Sequence, residues 1–87
     1  MKYRIEVAPQ ALKEMRKIPD TDLDRIIRTI DNLSVEPRPP GVKKLIGADD
    51  LYRIRCGNYR VIYRIEDHIL LVLVVRVAHR KDVYKKK

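Results

Sequence analysis

Phenylalanine and tryptophan are absent from this 87-residue chain, so its core must be built from Ile, Leu, Val, Met and parts of five tyrosines. That is material for one sheet covered on one side by helices, and not for two domains. A single cysteine, Cys56, excludes an intrachain disulfide and a cysteine-based zinc site. The opening segment MKYRIEVAPQ lacks the apolar core of a signal peptide. The longest apolar run, residues 69–75, is far too short to cross a bilayer. The expectation is a cytoplasmic protein without a membrane partner. No carboxylate cluster suggests a metal and no Gly-rich loop suggests a nucleotide, so no cofactor is expected. Acidic residues are the scarcer charge, 12 against 20 Lys and Arg, which leaves a net charge of +8. Such a balance favours an anionic partner, nucleic acid being the commonest for a soluble domain. The plainer alternative is a generally basic surface.

The pattern along the chain predicts an α+β domain spanning residues 1–87. Residues 2–7 alternate, with Tyr3, Ile5 and Val7 on one face of a first strand. Pro9 suits the first turn of a helix, and Ala8, Leu12 and Met15 follow at helical spacing to near Ile18 and Pro19. Asp20 or Thr21 can cap a second helix whose buried stripe is Leu23, Ile26, Ile27, Ile30 and Leu33. The segment SVEPRPPG, with prolines at 37, 39 and 40, ends that helix in a loop. From there the chain reads as strands at residues 42–46, 51–56, 59–66 and 69–78. The last is apolar almost without alternation, as a central strand would be. The order is βααββββ: an N-terminal strand and an αα-hairpin on a mainly antiparallel sheet of four to five strands.

Chemistry concentrates in the stretch YRIRCGNYRVIYRI, residues 52–65. Gly57-Asn58 suits a two-residue hairpin loop with glycine first, which sets Cys56 opposite Tyr59, Arg55 opposite Arg60, and Arg53 opposite Ile62. Alternation then turns Tyr52, Ile54, Cys56, Tyr59, Val61 and Tyr63 to the helices and Arg53, Arg55 and Arg60 to the open face. Like charges directly opposite in a sheet repel. Either they fan out into water as a solvated, exposed face, or an anion bridges them, and the planar guanidinium fork matches phosphate. Lys43 and Lys44 are candidate additions to that phosphate- or RNA-binding group. The last strand, antiparallel to 59–66, ends beside Tyr59 and Arg60, so His79, Arg80 and Tyr84 converge on the arginines. Imidazole, guanidinium and phenol are groups that metal-free RNA cleavage needs, to move the 2′-OH proton, neutralise the phosphorane and protonate the leaving oxygen. Glu66, Asp67 and His68 read instead as turn residues.

The stretches VAPQALKEMRKI, KKLIGADDLYRIRCGNYRVIY and VAHRKDVY resemble the RelE family of the RelE/ParE toxin superfamily, over essentially the whole chain. The resemblance implies a small toxin that enters the ribosomal A site and cuts the mRNA positioned there. It also implies a RelB-like antitoxin that wraps the toxin, the pair contacting operator DNA only as a complex. By that resemblance Arg60 matches the phosphate-stabilising arginine, Arg80 the arginine after the last strand, and Tyr84 the tyrosine of the final VY pair. Arg53 and Arg55 depart from it, standing where the best-known relatives often have lysine. Arginine, as a residue type with a pKa above about 12, is a poor base. His79 and Tyr84 therefore remain the two candidates for proton transfer. Two other functions use the same features: a ParE-type gyrase poison, which cleaves nothing, and a basic domain that binds nucleic acid without chemistry. ParE-like sequences tend to lack the combined Arg60, Arg80 and Tyr84 set.

Overall fold

The computed structural model describes residues 2–45, 47 and 50–79. Within them the chain forms β1 (Arg4–Val7), α1 (Pro9–Met15), α2 (Asp20–Asn32), β2 (Lys43–Lys44), β3 (Leu51–Cys56), β4 (Tyr59–Glu66) and β5 (Leu71–His79). A 3-10 turn, Asp67–Ile69, links β4 to β5. The five strands lie in the order β1-β5-β4-β3-β2, with β1 parallel to β5 and every other pair antiparallel. This is the expected α+β architecture in the expected βααββββ order. The middle position belongs to β4, however, and β5 lies between it and β1.

Local chemistry explains the helix boundaries. Pro9 opens α1, where its missing N–H costs nothing, and Ala8 offers no side-chain cap. Pro19, rather than Asp20 or Thr21, holds the cap position of α2, and Asp20 and Asp22 place negative charge in its first turn. Ile26, Ile30 and Leu33 seal the helices onto Val61, Tyr63, Val72 and Val74. Each such aliphatic side chain, fully buried, contributes about 1.5–3 kcal/mol relative to exposure. Ile27 departs from the expected stripe. It is 41% exposed, as is Leu12 of α1 at 43%, so both apolar side chains lie outside the core.

The strands begin and end differently from expectation in several places: β1 starts at Arg4 and not at residue 2, and β5 runs on to His79. Only Lys43 and Lys44 of the 42–46 segment form ladder pairs, and Ile46 lies outside the described residues. Ile69 belongs to the 3-10 turn, and Leu70 then takes the left-handed conformation (φ 50, ψ 54) before β5 starts. Within β5, Ile62 faces Arg76 while Tyr63 faces Val74, so Val75 is an extra residue at a β-bulge. The bulge resets alternation: Val72 and Val74 are core residues before it, and Val77 is the core residue after it. Without that reset Arg76 would point into the core and Val77 out of it. No helix among the described residues is long and apolar enough to cross a membrane.

Candidate functional site

The hairpin β3–β4 has the register that the Gly57-Asn58 loop demands. Arg55 faces Arg60, Arg53 faces Ile62, Ile54 faces Val61 and Cys56 faces Tyr59. Gly57 has φ 62 and Asn58 is not in the positive-φ region, as a turn with glycine in its first central position requires. Tyr52, Ile54 and Tyr59 pack on the core, so the arginines between them take the opposite face. There Arg53, Arg55 and Arg60 line one cavity of 320 Å³ together with Lys43 and Gly41. Among the described residues, no acidic side chain lines it.

Lys43 enters the site because β2 pairs with β3 and sets it opposite Arg53. Its neighbour Lys44 faces Tyr52 in the ladder and is not among the lining residues. Gly41 was not legible as a site residue. Its φ of 90 lets the proline-rich loop turn into β2, and its lack of a side chain leaves the cavity wall open.

Arg60 corrects an expectation. Read as an exposed residue of a solvated face, it is in fact only 4% exposed. The cause is its strand: β4 is interior, so Arg60 is flanked by Arg55 on one side and by Ala78 on the other. Ala78 is small enough for a long side chain to lie across it. The other arginine of the stretch, Arg64, is drawn off by Asp50, 3.1 Å from its Nε.

The end of β5 does reach Tyr59 and Arg60, through the pairs Tyr59–His79 and Arg60–Ala78. Yet His79 shares the Tyr59 side of the ladder and not the Arg60 side. Its ring meets the Tyr59 ring edge-on, with centroids 5.2 Å apart and planes at 83°. Both rings line a second cavity of 320 Å³, shared with Val77 and Ala78 of β5 and with Gln10, Glu14, Lys17 and Ile18. Arg80 and Tyr84 lie outside the described residues.

A second arginine site stands at the other end of the sheet. Arg38, in the proline-rich loop, donates to both Asp67 oxygens, at 2.9 and 3.3 Å. Its Nε donates to the Tyr52 hydroxyl at 3.3 Å, and its guanidinium carbon lies 5.2 Å from the centre of the Tyr52 ring. The Tyr3 hydroxyl donates to Asp67 at 2.7 Å, and the Tyr63 hydroxyl donates to the Pro37 carbonyl at 2.7 Å. The Arg38 guanidinium, then the Tyr3 hydroxyl, hold the Asp67 carboxyl below its ordinary range. Burial pushes the Tyr63 phenol up to about 12. This cluster ties down the loop that ends in Gly41 and Lys43. Asp67 is thus more than a turn residue, and nothing in its local sequence pointed to a partner 29 positions away.

Among the described residues, no group of three His, Cys, Asp or Glu side chains could hold a metal ion. What the first cavity can do is receive anions, with up to four cations converging on one volume.

Comparison with known proteins bears on which anion. The profile of the family described as ParE toxin of type II toxin-antitoxin system, parDE, matches residues 5–84. The mRNA interferase toxin RelE of Escherichia coli is 32% identical, over 97% of this chain and 92% of its own length. Toxin RelG of Mycobacterium tuberculosis is 30% identical over 99% of this chain and all of its own. In three dimensions, the chain superposes on the archaeal RelE-RelB complex from Pyrococcus horikoshii with a TM-score of 0.82 and 33% identity, covering 92% of this chain and 97% of that one.

Proposed function

The chain belongs to the RelE family of toxins of type II toxin–antitoxin systems, and from that premise we propose that it is a ribosome-dependent mRNA endoribonuclease. The observation that carries the reading is the cavity that Lys43, Arg53, Arg55 and Arg60 line together. A site of that composition stabilises a phosphorane, whose extra negative charge develops only in the transition state. Arg60 is the centre of it, since burial takes its guanidinium out of bulk water, where charge interactions are screened.

The reaction is a transfer within the substrate. The 2′-oxygen bonds to phosphorus, the bond from phosphorus to the 5′-oxygen breaks, and a 2′,3′-cyclic phosphate and a 5′-OH result. One group takes the 2′-OH proton and one returns a proton to the leaving oxygen. His79 and Tyr84 are the candidates. Because His79 is turned to Tyr59, we assign Tyr84 the proton transfer to be tested first, with Arg80 joining the charge-stabilising group. Lys44, at the rim strand, contacts RNA beyond the cavity. The ribosomal A site supplies alignment of the 2′-OH with the scissile bond, which an arginine-rich site short of good bases cannot supply alone. A RelB-like antitoxin, the kind of partner present in the archaeal complex, would cover the basic face or the exposed Leu12 and Ile27 surface. The setting is the cytoplasm, and operator DNA is met only through that complex.

The test is cleavage of ribosome-bound mRNA, with the ends mapped. Cutting should persist in EDTA once the ribosome's own magnesium is controlled for, and should vanish with a 2′-deoxy or 2′-O-methyl group at the cut site. Cleavage of the deoxy substrate would sink the mechanism. The family profile carries the ParE description, which favours a second reading, a gyrase poison. Intact ribosomal mRNA together with arrested DNA replication would replace the first reading with that one.

A further inference from the structure

Beyond Val74, β5 has lost its β1 neighbour, because β1 pairs only with Leu71 to Val74. The last strand-like bond on that edge runs from the Ala8 N–H to the Val74 carbonyl, at 2.8 Å, and Pro9 then turns the chain into α1. A strand edge left this way exposes N–H groups that need acceptors. The acceptor for Val77 is a side chain. Glu14, in the last turn of α1, takes the Val77 N–H on Oε1 at 2.7 Å. Its Oε2 accepts from Arg76 Nε at 2.7 Å and from Gln10 Nε2 at 3.2 Å, and Arg76 Nη2 lies 2.7 Å away. The Glu14 side chain is 17% exposed, so these charge-assisted bonds are partly shielded from water.

We infer that Glu14 is a positioning residue: it replaces the missing strand on the β5 edge and so holds Ala78 against Arg60 and His79 against Tyr59. The inference rests on the nuclease reading for its consequence but not for its geometry. Val77 lies two residues beyond the bulged Val75, where the ladder is least regular, and just before the two residues that border Arg60 and Tyr59. A carboxylate that fixes the Val77 amide therefore fixes the strand segment that pairs with Arg60, the buried arginine of the cavity. Glu14 lines the second cavity and not the first, so it does this without touching the bound anion.

The experiment compares Glu14→Ala, which removes the acceptor, with Glu14→Gln, which keeps an oxygen for Val77 but loses the charge facing Arg76. In Glu14→Ala the Val77 amide should exchange with solvent at least about 10-fold faster, because its acceptor is gone. The His79 ring protons, which sit at the edge of the Tyr59 ring, should shift in the NMR spectrum. Single-turnover cleavage should fall about 10-fold while RNA affinity stays within about 2-fold, the pattern of a misplaced rather than a missing contact. Glu14→Gln should restore most of the rate and most of the amide protection. Should Glu14→Ala fail to fold, Arg76→Ala tests the same clamp, since it frees the carboxylate to rotate away from Val77.

An unchanged Val77 exchange rate and His79 spectrum would overturn the clamp. Changes there with an unchanged cleavage rate would overturn its role in positioning. If the native protein cuts no mRNA at all, the nuclease reading fails while the NMR comparison still decides the clamp.

Discussion

Arg60 and Arg38 occupy opposite ends of the same sheet, and the neighbours of each decide what its charge is for. Arg38 is matched by Asp67, stacked near Tyr52 and bound to its hydroxyl, so its charge is consumed in holding a loop. Arg60 lies in a cavity whose other charged lining residues, Lys43, Arg53 and Arg55, carry the same sign. The Arg38 cluster has a clear structural gain and is partly exposed to water. The Arg60 cluster sets like charges around one buried guanidinium, which opposes folding. On the proposed reading, an anionic substrate arriving from outside offsets that repulsion. On that reading, the same side-chain type serves stability at one end and function at the other.

The largest effect that could break this contrast is at Arg60. Arg60→Ala should lower single-turnover cleavage by about 10²-fold or more, the scale seen when a preorganised charge donor is removed. Arg60→Lys should recover little, because an ammonium keeps the charge but not the fork. A folded Arg60→Ala protein that cuts normally would remove the centre of the site. Since Arg60 is buried and not exposed, its replacement should also alter thermal stability, and folding must be checked by circular dichroism.

Next in size are the cavity's other arginines. Arg53→Ala and Arg55→Ala should each weaken RNA binding across all sequences. Each should reduce the slope of log affinity against log salt by about 0.7, the value for one phosphate contact to a single strand. A slope that does not move would mean that these side chains only solvate the sheet.

At the other arginine the profile should invert. Arg38→Ala and Asp67→Asn should lower the melting temperature slightly and leave cleavage within about 2- to 3-fold, since surface ion pairs contribute little to stability. A large loss of activity with no loss of stability would show that the loop bearing Gly41 and Lys43 must be held for catalysis as well.

The smallest effects are in pH. Asp67 is depressed by Arg38, so its contribution to stability is present above the carboxylate's unfolded pKa of about 3.9 and is lost as pH falls through its lower folded value. That acid-side loss should be absent in Asp67→Asn. Tyr63 is raised by burial, so its contribution is complete below about pH 10 and is lost as pH rises through about 12. Ultraviolet titration of the folded protein should show one phenol ionising there, and Tyr63→Phe should delete it.

Much of the site could be read from residues that are neighbours in the chain. Gly57-Asn58 dictates the register of its hairpin, and register plus alternation puts Arg53, Arg55 and Arg60 on one face. The pairing of the β5 end with Tyr59 and Arg60 followed from topology alone. The failures concern things that no short window contains. The burial of Arg60 depends on strands on both sides of it. The side taken by His79 depends on the β-bulge at Val75, which no turn residue announces. Ile27 looked core-facing from its spacing, yet spacing cannot say how wide a sheet the helix must cover. Glu14 and Val77 meet across most of the chain, and Arg38 finds Asp67 only because the proline-rich loop folds back.

The parallel pairing of β1 with β5 also has a consequence for biosynthesis. Arg4 is made well before its partner Leu71, with both helices and three strands between them. Contacts so distant in sequence form late, because the closure entropy of the whole intervening chain precedes any gain from them. The β1–β5 edge therefore cannot close before β5 has been made, and neither can the pairing of Ala78 with Arg60. On the proposed reading, a ribosome making this toxin holds a harmless, unclosed chain until β5 has been made. The interval gives an antitoxin the chance to meet the fold as it completes.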